Sequence, residues 1–464
     1  MYRIKDMKKD DFNPRFRWGA ATSSFQIEGN IDADGKLESI WDRFCKTPGK
    51  IKDMEHAEAA CDHYNRWKED FDLLENLGVN SYRFSISWPR VVQSDLKQAN
   101  QKGIEYYDKI VDDLLSRNID PFVTLNHWDI PQKFQDKGGW VERESIKYFL
   151  DYVDIITNKL GDRVKNWITH NEPWIIAYLG YNEGTHAPGF KSLQKTLAVN
   201  HHLLLSHGLS VPIIRENSKN SQVGIALNLT PAYPASSSKA DKEAAQLFDE
   251  QFNAWYLDPL YGKKYPKKII EYWKDRGELK NDFDFIQDDD FKVIAEPTDF
   301  LGVNYYSRAI IRCSKTDMHK NLPIEIVPGE KTKFDWEVFP EGLEELLIRL
   351  KKDYSPESIY ITENGASYDY NVQEMGKIND TKRIEYLESH IHACKAAVEQ
   401  GVPLKGYFCW SLMDNFEWAE GFNHRFGLVH VDFDTQKRIP KHSYKWYQQF
   451  LQNRINIDRS EYIK

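Results

Sequence analysis

Two kinds of hydrophobic spacing alternate along the chain. Short runs rich in β-branched and aromatic residues, such as VNSYRFS at 79–85, are typical of buried strands. Between them, as in 64–77 and 104–115, apolar side chains recur every three or four residues, which predicts amphipathic helices. Gly78 follows the first of these helical stripes as a stop signal. Strands that alternate with helices predict βαβ units and a parallel sheet.

Eight runs carry the strand pattern, and eight βα units in one chain predict a closed (β/α)8 barrel. The predicted strands are 16–25, 79–85, 121–127, 164–172, 222–229, 299–306, 358–364 and 405–412. A barrel of this kind takes about 250 residues, so we expect the rest of the 464-residue chain to form long βα loops around a pocket. No repeat or Pro/Gly linker divides the sequence, which predicts a single domain over 1–464.

Polar and aromatic residues follow most of the predicted strands at the same end. In a (β/α)8 barrel the carboxyl ends of all strands lie on one face, where active sites are built. One polar residue in such a position marks only the end of a strand, whereas the same feature on seven strands predicts a functional site. These strand-end residues include Gln26, Arg83, Asn126, His127, Asn171, Glu172, Asn304, Tyr306, Glu363, Asn364 and Trp410.

Two of these strand ends carry a carboxylate beside an amide. THNEP at 169–173 follows the fourth strand and ITENG at 361–365 follows the seventh, so Glu172 and Glu363 are expected to face each other across the barrel mouth. Either residue alone is equally well explained by a salt bridge or a helix cap. Together they match the two carboxylates that glycoside hydrolysis requires.

Charge and composition limit the classes of partner that we expect for this protein. The 62 basic and 71 acidic residues give a net charge of −9, which offers no basic surface for nucleic acid or an anionic membrane. The sequence contains no apolar run long enough to span a bilayer, and its first twelve residues lack the apolar core of a secretory signal. We therefore expect a cytoplasmic protein that acts on a small molecule, and its composition is compatible with a homo-oligomer.

The residues that commonly bind metals do not form a recognisable motif. The five Cys are scattered without a CxxC pair, so neither a zinc ribbon nor a disulfide framework is predicted. His201, His202 and His207 lie on a helical pattern with no carboxylate nearby in the sequence, and we interpret them as packed helix residues. We expect neither a metal nor an organic cofactor.

Seven segments resemble the conserved blocks of glycoside hydrolase family 1, the β-glucosidase family, nearly from end to end of the chain. The two segments that carry the carboxylates are the family's signatures, and the set is far more specific than either one alone. The segments are FRWGAATSSFQIEG, YRFSISWPR, LNHWDIP, ITHNEPW, DFLGVNYYSR, YITENG and WSLMDNFEWAEGF.

The resemblance implies the roles of the catalytic set. Glu172 is similar to the family's general acid/base and Glu363 to its nucleophile, while Arg83, Asn304 and Tyr306 resemble residues that hold and tune the nucleophile. Retention of configuration implies carboxyl groups about 5–5.5 Å apart. Two carboxylates at that distance do not both ionise readily, so one is expected to keep its proton near neutral pH.

The resemblance also implies a substrate-binding set. Trp410 resembles the platform beneath the sugar ring, Trp336 an aromatic residue at the aglycone entrance, and Glu417 an acceptor for two adjacent hydroxyls such as O4 and O6. The residues similar to those that hold the glycone hydroxyls are Gln26, His127, Asn171, Glu417 and Trp418.

The function implied is that of a retaining exo-β-glucosidase. It would release terminal β-D-glucosyl units from cello-oligosaccharides and from aryl or alkyl β-glucosides through a covalent ester on Glu363, a chemistry linked to cellulose degradation. Two alternatives remain: a β-galactosidase or β-fucosidase of the same family, and a catalytically silent glycan-binding module on the same barrel.

Overall fold

Eight parallel strands close a barrel in which each strand pairs with its neighbours in sequence and β8 returns to β1. The computed structural model of the protein describes residues 7–279, 283–314, 324–327, 331–372 and 377–453. The barrel strands are β1 Arg17–Ala21, β2 Ser81–Ser85, β3 Asp120–Asn126, β4 Asn166–Asn171, β5 Gln222–Asn228, β6 Phe300–Asn304, β7 Ile359–Asn364 and β8 Leu404–Trp410. The predicted (β/α)8 fold is therefore confirmed.

The first strand is shorter than the sequence predicts. It ends at Ala21, and residues Ser24–Ile27 form a short helix, so Gln26 lies on that helix rather than at a strand end. The reason is local, because the Ser24 amide donates to Ser85 Oγ at 2.7 Å and draws the chain out of the ladder.

Helices follow the barrel strands, and the amphipathic ones among them bury one apolar face. In α2 the buried positions include Ile104, Ile110 and Leu114, the stripe expected from the sequence. The left-handed Gly78 (φ 83°) ends α1. The barrel helices are α1 His63–Leu77, α2 Gln101–Ser116, α3 Ile146–Leu160, α4 Leu193–Asn217, α5 Lys239–Asp249, α6 Pro340–Asp353, α7 Thr381–Glu399 and α8 His442–Leu451.

Shorter elements decorate the loops. Short helices occupy Ser24–Ile27, Ile40–Cys45, Trp88–Val91, Gln132–Asp136, Trp255–Leu260, Lys267–Asp275 and Asp290–Ile294, with a π-helix over Ile175–Glu183. Ala232–Pro234, Ala309–Cys313 and Ile324–Ile326 form a small sheet, and Val429–Val431 pairs with Arg438–Pro440 as a hairpin. These accessory strands are absent from the sequence-based prediction because each is only three to five residues long.

Bulky side chains fill the barrel interior. Phe122 lies 5.3 Å from Tyr360 and 4.8 Å from Phe408 between ring centroids, and Ile168 and Phe300 complete this layer. A packed interior of this kind leaves the carboxyl-end face as the place for a site. None of the helices in the described ranges combines the length and the apolar character that crossing a bilayer requires.

The three histidines noted in the sequence lie buried on α4. His201 contacts Asp290 at 2.8 Å and the Tyr265 hydroxyl at 2.9 Å, so the fold brings a carboxylate to it from far along the chain. His202 bonds to a backbone carbonyl and His207 to a threonine hydroxyl. In the part of the chain that the structure describes, no three His, Cys, Asp or Glu side chains are grouped so as to hold a metal ion.

Candidate active site

Irregular backbone places both carboxylates at the carboxyl ends of their strands. The pairing of β4 with β5 shifts between Ile168 and Asn171, just before Glu172. The pairing of β7 with β6 likewise shifts between Ile361 and Glu363. Such irregularities re-aim side chains next to active sites. Glu172 also takes a left-handed backbone conformation (φ 49°), which turns the chain out of the strand.

Gly365 allows the ends of β7 and β8 to meet. A Cβ atom on this residue would stand 1.7 Å from the carbonyl oxygen of Trp410, so no other residue fits without a backbone shift. The close approach explains the glycine of the ITENG segment, and it brings the Trp410 segment against the segment that carries Glu363.

Glu363 is buried and held by two donors. Arg83 Nη1 donates to its Oε1 at 2.6 Å, and the Tyr306 hydroxyl donates to its Oε2 at 2.5 Å. Arg83 is fixed in turn by the Thr362 carbonyl at 3.0 Å and by Asn171 Oδ1 at 2.7 Å. Donors to both oxygens stabilise the ionised form of this carboxyl.

Glu172 receives a single neutral donor. Asn304 Nδ2 donates to Glu172 Oε1 at 2.7 Å and to Asn171 Oδ1 at 3.0 Å. The side-chain oxygen Asn304 Oδ1 accepts from Thr362 Oγ1 at 2.6 Å, which fixes the orientation of the side-chain amide. The carboxyl group of Glu172 therefore accepts from a neutral amide, whereas that of Glu363 accepts from a guanidinium and a phenol.

Electrostatics separates the two carboxyls. Burial and the negative charge of Glu363 raise the pKa of Glu172 well above its usual range, with Asn304 and Arg83 opposing. Burial also raises the pKa of Glu363, but Arg83, Tyr306 and Asn304 counteract that effect. Of the two groups, Glu172 is thus the one that keeps a proton and Glu363 the one that carries the charge. Tyr306 remains a donor because burial raises its pKa well above the ordinary value.

Gln26 and Glu417 form a second polar group beside the first. Gln26 Nε2 donates to the Phe416 carbonyl at 2.8 Å and lies 3.5 Å from Glu417 Oε2. Ser23 Oγ donates to Gln26 Oε1 at 2.6 Å. Burial, together with the charges of Glu363 and Glu420, raises the pKa of Glu417 to about 8.

His127 connects this group to Asn171 and to two tryptophans. Its Nε2 lies 3.1 Å from Asn171 Nδ2, and its ring stacks at 5.8 Å on Trp410 and at 6.1 Å on Trp418. Burial and the charge of Arg83 lower the pKa of His127 well below its usual range, so the ring is neutral. Its Nε2 then accepts from Asn171, and the protonated Nδ1, buried without a partner among the described residues, is available to a ligand.

Trp418 is more deeply packed than a simple sugar platform. Its ring lies 4.6 Å from Trp41 and 4.5 Å from Trp128, and only 3% of the residue is exposed. The ring therefore belongs to an aromatic core whose edge reaches His127.

A cavity of about 390 Å³ opens beside Glu172. Tyr306 and Trp336 line one part of it and Trp174 another, and the Trp336 ring lies 5.0 Å from Tyr306 and 4.4 Å from Phe334. The cavity has the size and the apolar lining of a small-molecule site. Trp336 thus lines the same cavity as Glu172.

The twelve predicted site residues form one connected set at the carboxyl end of the barrel. The sequence-based prediction omits several residues that hold them in place, because a single sequence does not show which side chains bond to one another. The clearest are Ser23 and Asn415 at Gln26, Thr362 at Asn304, and Trp128, whose Nε1 donates to the Asn171 carbonyl at 2.9 Å.

Residues 8–455 match the model of a single family, glycosyl hydrolase family 1. The chain belongs to glycosyl hydrolase family 1. A family 1 relative, beta-glucosidase A of Acetivibrio thermocellus, is 46% identical over 96% of this chain and 99% of its own length. The 1,4-beta-D-glucan glucohydrolase of Thermotoga neapolitana is 44% identical, with coverage of 96% and 99%.

A solved family 1 structure shares the fold. The beta-glucosidase from Thermotoga maritima in complex with deoxynojirimycin superposes with a TM-score of 0.90 at 44% identity, covering 96% of this chain and 99% of that one. The resemblance drawn from the sequence segments is therefore confirmed at the level of the family.

Proposed function

We propose that this protein is a retaining β-glucosidase that removes terminal β-D-glucosyl residues. The observation that carries the proposal is the unequal pair of buried carboxyls, one donated to by Arg83 and Tyr306 and the other by a neutral amide. The protein is an enzyme of the glycoside hydrolase class, and its relatives at 44–46% identity are named as β-glucosidases or glucan glucohydrolases.

The chemistry follows from the asymmetry of the pair. Glu172 donates its proton to the glycosidic oxygen while Glu363 attacks the anomeric carbon, the leaving group departs, and a glycosyl ester forms on Glu363. Ester formation removes the negative charge of Glu363, which lowers the pKa of Glu172. Glu172 then acts as a base on water, and a second displacement releases the β-sugar with retained configuration.

The glycone is recognised by the groups around His127 and Gln26. His127 Nδ1 donates to a hydroxyl, Gln26 offers an amide, and Glu417 accepts from or donates to two adjacent hydroxyls according to its protonation. Trp410 supports a C–H face of the sugar. Asn171 beside Glu172 reaches the hydroxyl next to the anomeric carbon, where a hydrogen bond strengthens in the transition state.

The aglycone occupies the cavity beside Glu172, with Trp336 at its entrance. We propose cello-oligosaccharides and aryl or alkyl β-glucosides as substrates, with a part in cellulose degradation, which the name of the Thermotoga neapolitana relative supports. The whole of 1–464 acts as one catalytic unit in the cytoplasm, without a cofactor. Its partner is a small sugar, not nucleic acid or membrane, and light scattering tests for a homo-oligomer.

Purified protein tests this function on aryl β-glycosides and cello-oligosaccharides. We expect glucosides to have the highest kcat/KM and the proton NMR spectrum to show β-glucose as the first product. Glu363→Ala should abolish turnover while the circular dichroism spectrum stays unchanged. A tenfold preference for galactosides or fucosides would reassign the sugar, and binding without turnover by the wild-type protein would indicate a glycan-binding module.

A further inference from the structure

Asp414 is a fully buried carboxylate with no part in the chemistry described above. It lies in the loop after β8, between Trp410 and Glu417, and its side chain has no exposed surface. Asp414 Oδ1 accepts from Lys441 Nζ at 2.7 Å and from the Gly427 amide at 2.9 Å. Oδ1 of Asp414 thus accepts two hydrogen bonds within the rim of the barrel.

The other oxygen extends this set to three more side chains. Arg425 Nη1 lies 3.2 Å from Asp414 Oδ2, His430 Nδ1 lies 3.5 Å from it, and the Tyr370 hydroxyl donates to it. Lys441 directly precedes α8, Arg425 and His430 flank the start of the C-terminal hairpin, and Tyr370 follows β7. One carboxylate therefore joins distant points of its own loop between β8 and α8 to one another, and joins that loop to Tyr370 after β7.

The loop is packed tightly around this carboxylate. A Cβ atom on Gly427 would stand 2.0 Å from the Asp414 amide nitrogen, so the two backbones approach as closely as they can. The Asp414 amide itself donates to the Val429 carbonyl at 2.9 Å. The position of Asp414 is thus fixed by backbone contacts as well as by ions.

The same loop carries the glycone-binding groups. Directly after Asp414, Asn415 Oδ1 accepts from Gln26 Nε2 at 3.0 Å, and the Phe416 carbonyl accepts from the same nitrogen at 2.8 Å. Glu417 follows, with its amide bonded to the Gly421 carbonyl at 2.6 Å. Gln26 is thus bonded to the two residues that directly follow Asp414, and Glu417 comes next in the chain.

We propose that Asp414 is a positioning residue for sugar selectivity, which holds Glu417 and Gln26 at the spacing that reads the hydroxyls at C4 and C6. A buried ion pair stabilises a fold no better than well-packed apolar residues do, so a charge retained here points to geometry rather than to stability. A carboxylate that accepts from four groups on two oxygens has one arrangement, whereas an amide at the same place accepts on one atom only. The inference rests on the proposed function of the glycone site.

The test compares an aryl β-glucoside with the matching aryl β-xyloside, which lacks the C6 hydroxymethyl group. In Asp414→Asn we expect kcat/KM for the glucoside to fall about tenfold more than for the xyloside, mainly through KM. Tyr370→Phe removes one contact to Asp414 from a partly exposed residue, and it should shift the ratio in the same direction by a smaller factor.

Asp290→Asn is the matched control. Asp290 is also buried and held by an arginine and a histidine, at 2.7 Å from Arg143 and 2.8 Å from His201, but away from the loop. It should lower the Tm and leave the glucoside-to-xyloside ratio within twofold of the wild-type value.

The outcomes separate the two proposals. An active wild-type enzyme whose ratio is unchanged in folded Tyr370→Phe and in Asp414→Asn overturns the positioning role alone. A wild-type protein that cleaves neither glycoside rejects the proposed function and this inference with it. If Asp414→Asn does not fold, Tyr370→Phe decides the matter.

Discussion

The side chain of Asn304 shows how the site separates two similar acids. It gives Glu172 one neutral hydrogen bond, while Arg83 and Tyr306 place a charge and a hydroxyl on Glu363. Hydrogen bonds to an ionised group favour that form, and a guanidinium does so more strongly than an amide. The proton therefore remains on Glu172, the carboxyl with the weaker donor. In the proposed mechanism Glu172 is thus the acid of the first step, and the ionised Glu363 is the nucleophile.

Glu172→Gln tests the acid directly. The amide cannot protonate a leaving group, so glucosides of poor leaving groups should lose about 10²–10⁴-fold in kcat/KM, the usual contribution of general acid catalysis. Activated aryl glucosides should lose much less, and the basic limb of their pH profile should flatten. Equal losses for both kinds of substrate would place the acid on another residue.

Tyr306→Phe tests how the charge on Glu363 is held. The hydroxyl lowers the pKa of Glu363, so its loss should move the acidic limb of the pH–kcat/KM profile upward. A hydrogen bond to a charged group contributes about 1.5–3 kcal/mol, which predicts a shift of roughly one to two pH units. Tyr305→Phe is the neighbouring control, because its hydroxyl donates to the Phe339 carbonyl instead. An unmoved limb in Tyr306→Phe would contradict this role.

At the scale of elements, an ion pair ties α1 to the C-terminal hairpin. Arg438 Nε donates to Asp70 Oδ1 at 2.9 Å, and His63 Nδ1 lies 2.7 Å from Asp70 Oδ2, all of them buried. Burial raises the pKa of Asp70, but bonds from His63 and Arg438 outweigh it and hold the pKa below the usual value. The ion pair therefore joins two parts of the chain that are far apart in sequence.

Asp70→Asn should destabilise the fold by about 3–5 kcal/mol at pH 7, because it leaves a buried arginine without its partner. A lowered pKa means that this stability is present above the unfolded value of about 3.9 and is lost as the pH falls through the folded value. The Tm difference between wild type and variant should thus shrink below about pH 4. A difference that is constant with pH would show that the carboxylate's charge is not involved.

The elements themselves are largely predictable from the sequence. The fully buried strand β6 begins with a continuous apolar run, and α2 repeats its apolar positions with a helical period, so both patterns are visible without a structure. The end of β1 is not predictable, because it depends on a bond to Ser85, sixty-one residues away. The accessory strands are not predictable either, because each is only three to five residues long.

The site is predictable by residue type and not by contact. Glu172 and Glu363 follow strands whose ends share one face, and topology alone brings them together. The bond from Asn304 to Glu172 joins the ends of two strands that are 132 residues apart in sequence, and the periodicity of either strand does not reveal it. The contacts of Asp414 are likewise not predictable from the sequence, which shows only an aspartate in a loop.

At the scale of the whole molecule, the folded state favours the protonated form of several buried carboxyl groups. Burial, with like charges, raises the pKa of Glu172 and of Glu417, the latter to about 8, and burial raises that of Asp129 to about 7. Sites that desolvate charged groups in this way reduce stability in exchange for function. The effect on the fold must therefore depend on pH.

Glu417→Gln should show how much stability the fold loses when Glu417 ionises. A folded pKa raised above the unfolded value of about 4.3 gives stability that is present below the unfolded value and lost as the pH rises toward about 8. The glutamine has no proton to lose, so the Tm of the variant should gain on that of the wild type progressively from pH 5 to pH 8. Its kcat/KM for glucosides should be lower than that of the wild type, because the amide offers one acceptor oxygen where the carboxyl group offers two. Parallel Tm curves for the two proteins would mean that Glu417 is ionised at no cost to the fold.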